Sequence, residues 1–240
     1  MRIEDSSGTE ISDLDQWAKL YDVPQQSDKW KEHRSAYSVA DFMLNHDGAS
    51  HIQSTVSGVL GREVSLERAV PEYEQRFDEY GRGRVHDLGI FGTTADGQSV
   101  FVGLEAKVDE PFGAFVLDTY LGAKARQIVG ESTNVPKRIE KLLDLHFTTP
   151  DVSMFDLRYQ LLYATAGTLA ANADVSILYI VVFKTPLFDE VISADNYRDY
   201  IRFVNKVGGR PVKLNDKGVI AHRMVLGGKD LVCLHEYFEL

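Results

Sequence analysis

Three side chains set the chemical question. Asp87 stands in the run Arg84-Val-His-Asp-Leu-Gly-Ile-Phe, and Glu105 and Lys107 stand in Ser99-Val-Phe-Val-Gly-Leu-Glu-Ala-Lys-Val. Both runs read as strands, and Thr94-Ala-Asp-Gly between them is turn chemistry. Ionised groups inside apolar strands are costly unless paired or bound to metal. By the strand period of two, Val85, Asp87, Gly89 and Phe91 share one face, and His86 points to the other. Phe101, Gly103, Glu105 and Lys107 likewise share a face. Folded as a hairpin, the two strands set Asp87 beside Glu105 and Lys107. Two carboxylates are hard oxygen ligands for Mg²⁺ or Mn²⁺, with waters completing an octahedron. An ammonium beside them orients or deprotonates a water, or stabilises charge on a phosphate.

The elements that must hold these residues follow from pattern. A helical stretch opens at Ser38, with Ser38 as its expected N-cap, and a second covers Ile52–Leu60, with Gly61 to stop it. Three strands follow, at Val70–Phe77, Arg84–Phe91 and Ser99–Val108. Helices are expected over Phe115–Val129, Pro136–Leu145 and Leu157–Asn172. Val175-Ser-Ile-Leu-Tyr-Ile-Val-Val-Phe is the most apolar run in the chain and reads as a central strand buried on both faces. A helix near Asn196–Val207 and short strands around Pro211–Lys213 and Leu231–Glu236 complete the order. The fold class is α/β with a mixed sheet. Residues 1–35 read as a tail or loosely docked segment, 36–184 as the core, and 185–240 as a C-terminal α/β extension of the same domain.

Asp87, a gap of 18 residues (105 minus 87) and then Glu105-Ala106-Lys107 resembles the Asp…Glu-X-Lys core of the PD-(D/E)XK nuclease superfamily. The order helix, three-strand meander, helix, strand is also similar to its restriction-endonuclease-like core. The likeness spans roughly residues 36–184 and is greatest to uncharacterised bacterial members. It implies that Asp87 bends or ends the second core strand, and that Asp87 and Glu105 hold Mg²⁺ or Mn²⁺. It also implies that Lys107 assists the attacking water, and that Gln160, on the helix Leu157-Arg-Tyr-Gln-Leu-Leu-Tyr-Ala, reaches the site. That helix resembles the Gln-hydrophobic-X-X-Tyr signature of RecB-like nucleases, with Tyr163 one position early. The superfamily usually adds a third carboxylate. Glu72 is favoured as a metal ligand, with Glu74, Glu63, Glu67, Asp41 and Asp47 as the other options. The implied activity is metal-dependent phosphodiester hydrolysis of nucleic acid, with DNA as the expected substrate. The rival is an inactive nuclease-fold module that binds protein or nucleic acid.

Plain structural readings stand beside these. Asp87 caps a turn or pairs with Arg82 or Arg84, Glu105 and Lys107 form the solvated face of an edge strand, and Gln160 is a neutral helix residue. The seven histidines have no metal-site spacing, which disfavours a zinc hydrolase, and neither a Walker A lysine nor a Gly-X-Ser-X-Gly elbow is present. One cysteine, Cys233, excludes a disulfide framework. With no leader-like N-terminus and no apolar run of spanning length, a soluble cytoplasmic protein without membrane contact is expected.

Charge sets a constraint on any polyanion partner. The formal net charge is -10, and a chain this acidic needs a local basic face or a metal ion to meet nucleic acid. Arg198–Lys229 holds eight basic and two acidic residues, net +6. Within it Arg198, Arg202 and Lys206 are spaced i, i+4, i+8 along one helix face, the expected nucleic-acid-binding ridge unless they are simply a solvated face. A second copy of the chain, as a homodimer, is a further partner the reading admits.

Overall fold

The central strand is the run the apolar pattern marks. The computed structural model describes residues 1–22, 28–149, 151–214 and 218–240. Among the described residues, eight strands form one mixed sheet: β1 (Arg2–Ile3), β2 (Val64–Gln75), β3 (Arg84–Thr94), β4 (Ser99–Lys107), β5 (Val175–Lys184), β6 (Arg210–Val212), β7 (Val219–Leu226) and β8 (Lys229–Glu239). Their spatial order is β1-β2-β3-β4-β5-β8-β7-β6. β2, β3 and β4 make an antiparallel meander, and β5 runs parallel to both β4 and β8. Seven α-helices are found among the described residues: α1 (Leu14–Ala18), α2 (Ser35–Asn45), α3 (Gly48–Leu60), α4 (Val116–Ile128), α5 (Val135–His146), α6 (Tyr159–Ala170) and α7 (Glu190–Lys206). None is long and apolar enough to cross a membrane.

Residues 176–183 of β5 are all buried because helices cover both faces. Ile177, Tyr179 and Val181 pack into the layer that holds Trp17, Phe42, Ile52 and Val56 of α1–α3. Leu178 and Ile180 pack into the other layer, with Leu142, Leu161 and Phe203 of α5–α7. The α2–α3 corner needs Gly48, since a Cβ there would come within 2.7 Å of the Phe42 carbonyl oxygen.

Several elements differ from the sequence expectations. The N-terminal segment is not a loose tail: β1 pairs with β2, and Ile11, Trp17 and Tyr21 are buried. Its apolar residues are too widely spaced to show a period, yet Ile11, Trp17 and Tyr21 join the core layer of α2 and α3. Residues 23–27, within that expected tail, lie outside the described residues. β2 begins six residues before Val70, so Glu67 lies within a strand. Ser38 is buried inside α2, whose N-cap is Arg34. α7 begins at Glu190, where the Asp189 carboxylate accepts the N–H groups of Val191 and Ile192. β7, absent from the sequence reading, contains His222 and Arg223, which blur its alternation. Asp216 and Lys217 of the basic window lie outside the described residues.

Candidate functional site

β4 keeps its alternation to the end. Gly103 and Glu105 face α6, where Gln160 Nε2 donates to Glu105 Oε1. Lys107 Nζ is 2.8 Å from the same oxygen and sits over the Phe112 ring. Both charged side chains are almost fully buried.

β3 does not keep its alternation. Leu88 and Ile90 lie in the core under α1–α3, so a strict period of two would send His86 and Arg84 there as well. Instead the His86 ring meets Phe101 at 5.7 Å and fills the space where Gly103 lacks a Cβ, while the Arg84 stem fills the corresponding space beside Gly167 of α6. The phase slips at Asp87. There the β3–β4 ladder stops, with Leu88 opposite Leu104 as its last pair. The Ala106 N–H donates to Asp87 Oδ2 at 2.7 Å in place of a strand carbonyl. The expected common face for Val85, Asp87, Gly89 and Phe91 is therefore broken: Gly89 and Phe91 pack beside Tyr73, on the side His86 also occupies.

β2 carries a matching irregularity. Glu72 lies across from Asp87, between the pairs Pro71–Leu88 and Tyr73–His86. Its φ is +48°, a left-handed conformation that a glutamate rarely adopts. The twist turns Glu72 toward the cleft, where its Oε1 accepts the Tyr21 hydroxyl at 2.9 Å. Of the carboxylates weighed as a third ligand, Glu72 lines the cleft with Asp87 and Glu105. Glu74 accepts Gly83 N–H and Arg82, Glu67 accepts Thr93, Asp41 accepts Asn45, and Asp47 accepts Ser50. Glu63 lines neither half of the cleft.

The cleft therefore takes Glu72 from β2, Asp87 from β3, Glu105 and Lys107 from β4, and Gln160 from α6. It has a volume of about 320 Å³ on the side of Lys29, Arg34 and Ser35, at the start of α2. A second lobe of about 360 Å³ continues past Arg82, Arg84, Arg138 and Tyr163. Arg138 is fixed by a two-pronged bond to Asp78, at 2.8 Å on each oxygen.

Arg84, considered in the sequence only as a partner for Asp87, instead bonds Glu105: its Nη2 donates to Oε2. It is the functional candidate the sequence reading missed. Only the slip at Asp87 brings it to this face, and no residue-level signal marks that slip.

Charge and burial oppose one another here. Burial raises the Glu72 carboxyl above its usual range, the nearby Asp87 charge raises it further, and Lys29, 3.7 Å away, pulls it back. Burial also lowers the Lys107 ammonium, opposed by the charges of Asp87 and Glu110. The Arg84 guanidinium is lowered by burial and supported first by Asp87. His86, fully enclosed and beside Arg84, is held neutral, well below the ordinary histidine range.

Among the described residues, no three acidic, histidine or cysteine side chains are already gathered as a metal-ligand set. The carboxylates are nevertheless hard oxygen donors of the kind a divalent cation takes. Glu72 and Asp87 repel each other across the strand pair, and the Arg84 guanidinium pairs with Glu105 Oε2.

The expected basic ridge is not part of this cleft. Arg198 is paired with Asp195, Arg202 lies 3.6 Å from Asp199, and Lys206 donates to Ser153 and lies 3.6 Å from Asp151. None of the three lines either lobe. Their spacing along one face of α7 is matched by acids within reach of each.

Residues 10–234 match the family model of a domain of unknown function, DUF6946, and the chain belongs to that family. No curated protein and no solved structure matches it.

Proposed function

We propose that the chain is a metal-dependent phosphodiesterase acting on nucleic acid, with DNA as the expected substrate, on a restriction-endonuclease-like core. The observation that carries this reading is the convergence of Glu72, Asp87, Glu105, Lys107 and Gln160, from four separate elements, on one cleft. The meander β2–β4 between α3 and α4, with α6 preceding β5, supports the same core. Glu72, Asp87 and Glu105 would hold Mg²⁺ or Mn²⁺. When bound, the ion would supply a nucleophilic water near neutral pH and charge stabilisation at the phosphate. Lys107, with its ammonium pKa lowered by burial, takes or delivers a proton at Nζ beside Glu105. Gln160 fixes the Glu105 carboxylate. Lys29 and Arg34 stand at one side of the cleft and Arg82 at the other, placed to contact phosphates of the strand being cut.

Incubating the purified protein with single- and double-stranded DNA and RNA in Mn²⁺ tests this. Cleavage that is abolished by chelator and by Asp87→Asn is expected. A specific observation favours a second reading, an inactive binding module: both oxygens of Glu105 already accept protein donors. Nucleic-acid binding without cleavage or Mn²⁺ binding would select that reading.

A further inference from the structure

We propose that Arg84 is the resident counter-cation of Glu105 and that it exchanges with the divalent ion. Metal entry at this cleft would then require the guanidinium to leave the carboxylate. The inference rests on the metal-site reading above.

The two oxygens of Glu105 are not equivalent. Lys107 and Gln160 share Oε1, whereas Arg84 alone holds Oε2. Oε2 is therefore the oxygen an incoming cation must win. Arg84 is held lightly for so buried a group: its Nε, shut away from solvent, has no hydrogen-bond partner. Charge points the same way. The two lobes are lined by six basic side chains, Lys29, Arg34, Arg82, Arg84, Lys107 and Arg138, against five acidic ones, Asp28, Glu72, Asp87, Glu105 and Glu110. A divalent ion added beside Glu105 enlarges that positive excess. Movement of Arg84 toward Tyr163, whose ring is already 5.9 Å away, relieves it. Tyr163 and Arg82 line the second lobe, so the released guanidinium is left where a phosphate would lie. Ion and phosphate would thus be bound together, each easing the entry of the other.

Gly167 gives a way to disturb this contact without touching any charge. A Cβ at that position would come within 2.5 Å of the Arg84 Cβ and 2.8 Å of its Cγ, so Gly167→Ala pushes the arginine stem off its seat. Arg84→Gln keeps a neutral donor beside Glu105 and removes the competing charge.

Mn²⁺ titration by calorimetry, with circular dichroism to verify folding, tests the exchange on the full chain. Arg84→Gln should bind Mn²⁺ at least about tenfold more tightly than the wild type. Gly167→Ala should shift in the same direction and decides the matter if Arg84→Gln does not fold. Adding Asp87→Asn to either variant should remove the gain, which places the ion in this cleft. Wild-type binding with no tightening in the folded variants overturns the exchange and leaves the metal site standing. No Mn²⁺ bound by wild type or variants overturns both.

Discussion

The cleft and helix α7 use the same residue types to opposite ends. Along α7, basic side chains find acids three residues away or in the neighbouring turn, and Asp199 is buried between Arg158 and Arg202. Around the cleft, Glu72, Asp87 and Glu105 are set against one another across a common space, and the rim cations Lys29, Arg34 and Arg82 lie 3.7, 3.5 and 3.1 Å from Glu72, Asp109 and Glu74. Charge that is locally neutralised holds structure. Charge left opposed, at a backbone bent by a left-handed glutamate, is a cost to the fold that a bound cation would relieve.

Two aspartates put that contrast to its hardest test. Asp87→Asn should reduce Mn²⁺-dependent cleavage by roughly a thousandfold, as loss of a group acting on the transition state does, while leaving the thermal midpoint nearly unchanged. Asp199→Asn should do the reverse. It leaves Arg158, most of it buried and 2.6 Å from the lost charge, without its counter-charge and with the Gly113 carbonyl as an uncharged acceptor, and should cost about 3 kcal/mol of stability. Denaturant melts and cleavage rates on both variants read the outcome. If Asp87→Asn unfolds the protein, or Asp199→Asn lowers cleavage per folded molecule, the division between the two regions is wrong.

The buried histidines of both regions should govern the response to acid. His146 packs against Phe203 of α7, and His235 against Tyr197 and Tyr200, both imidazoles buried and their pKa values lowered to about 4 by desolvation. A depressed histidine adds stability that is intact above its ordinary pKa of 6.5 and lost as pH falls from there toward about 4. Each should contribute on the order of 3 kcal/mol to the loss by pH 4. His86, lowered in the same direction, adds to it. Urea melts between pH 7 and 4 should show this decline, and His235→Phe should remove part of it. A stability that stays flat to pH 5 would mean these imidazoles are not held neutral.

Salt dependence separates the two sets of cations by a smaller margin. Replacing Lys29, Arg34 and Arg82 together by Gln should flatten the slope of log affinity against log salt on duplex DNA by about 2–3. Replacing Arg198, Arg202 and Lys206 should leave it unchanged, because none of them lines either lobe of the cleft. The opposite result would return the phosphate track to α7, where the spacing of the sequence places it.

That case shows how far the sequence can be read. Spacing reports which side chains share a helix face, and Arg198, Arg202 and Lys206 do lie on α7. Spacing does not report which of them is already paired, since Asp151 and Ser153 reach Lys206 from a distant turn. The strands β3, β4 and β5 are legible because apolar alternation and continuous apolar runs are local signals. Asp87, Glu105, Lys107 and Gln160 could be named for the same reason, since charge in an apolar run stands out. Arg84 could not, because its side depends on a phase slip at Asp87 that only the end of the β3–β4 ladder produces. The docked N-terminus was hidden in another way. Ile11, Trp17 and Tyr21 are buried by tertiary packing in the core layer of α2 and α3 and carry no period of their own.

The smallest effect bears on the tension within the cleft itself. Glu72→Gln retains an oxygen to accept the Tyr21 hydroxyl, so it removes the charge while keeping the contact. The Glu72 carboxyl is raised by burial first and by Asp87 second. A carboxyl raised in the folded state favours folding fully below its unfolded value of 4.5, and that contribution is lost as pH climbs through the folded value. At pH 7 the Glu72 carboxyl therefore opposes folding, and Glu72→Gln should stabilise the metal-free protein by up to about 1 kcal/mol, the scale of like charges on opposed strand positions. The gain should shrink toward zero below pH 4.5, where the wild-type carboxyl is protonated in both states. Added Mn²⁺ should reverse the order, stabilising the wild type more than the variant, because only the wild type keeps all three carboxylates. A Glu72→Gln protein that is less stable at pH 7, or gains as much from Mn²⁺ as the wild type, would show that Glu72 serves the strand bend alone.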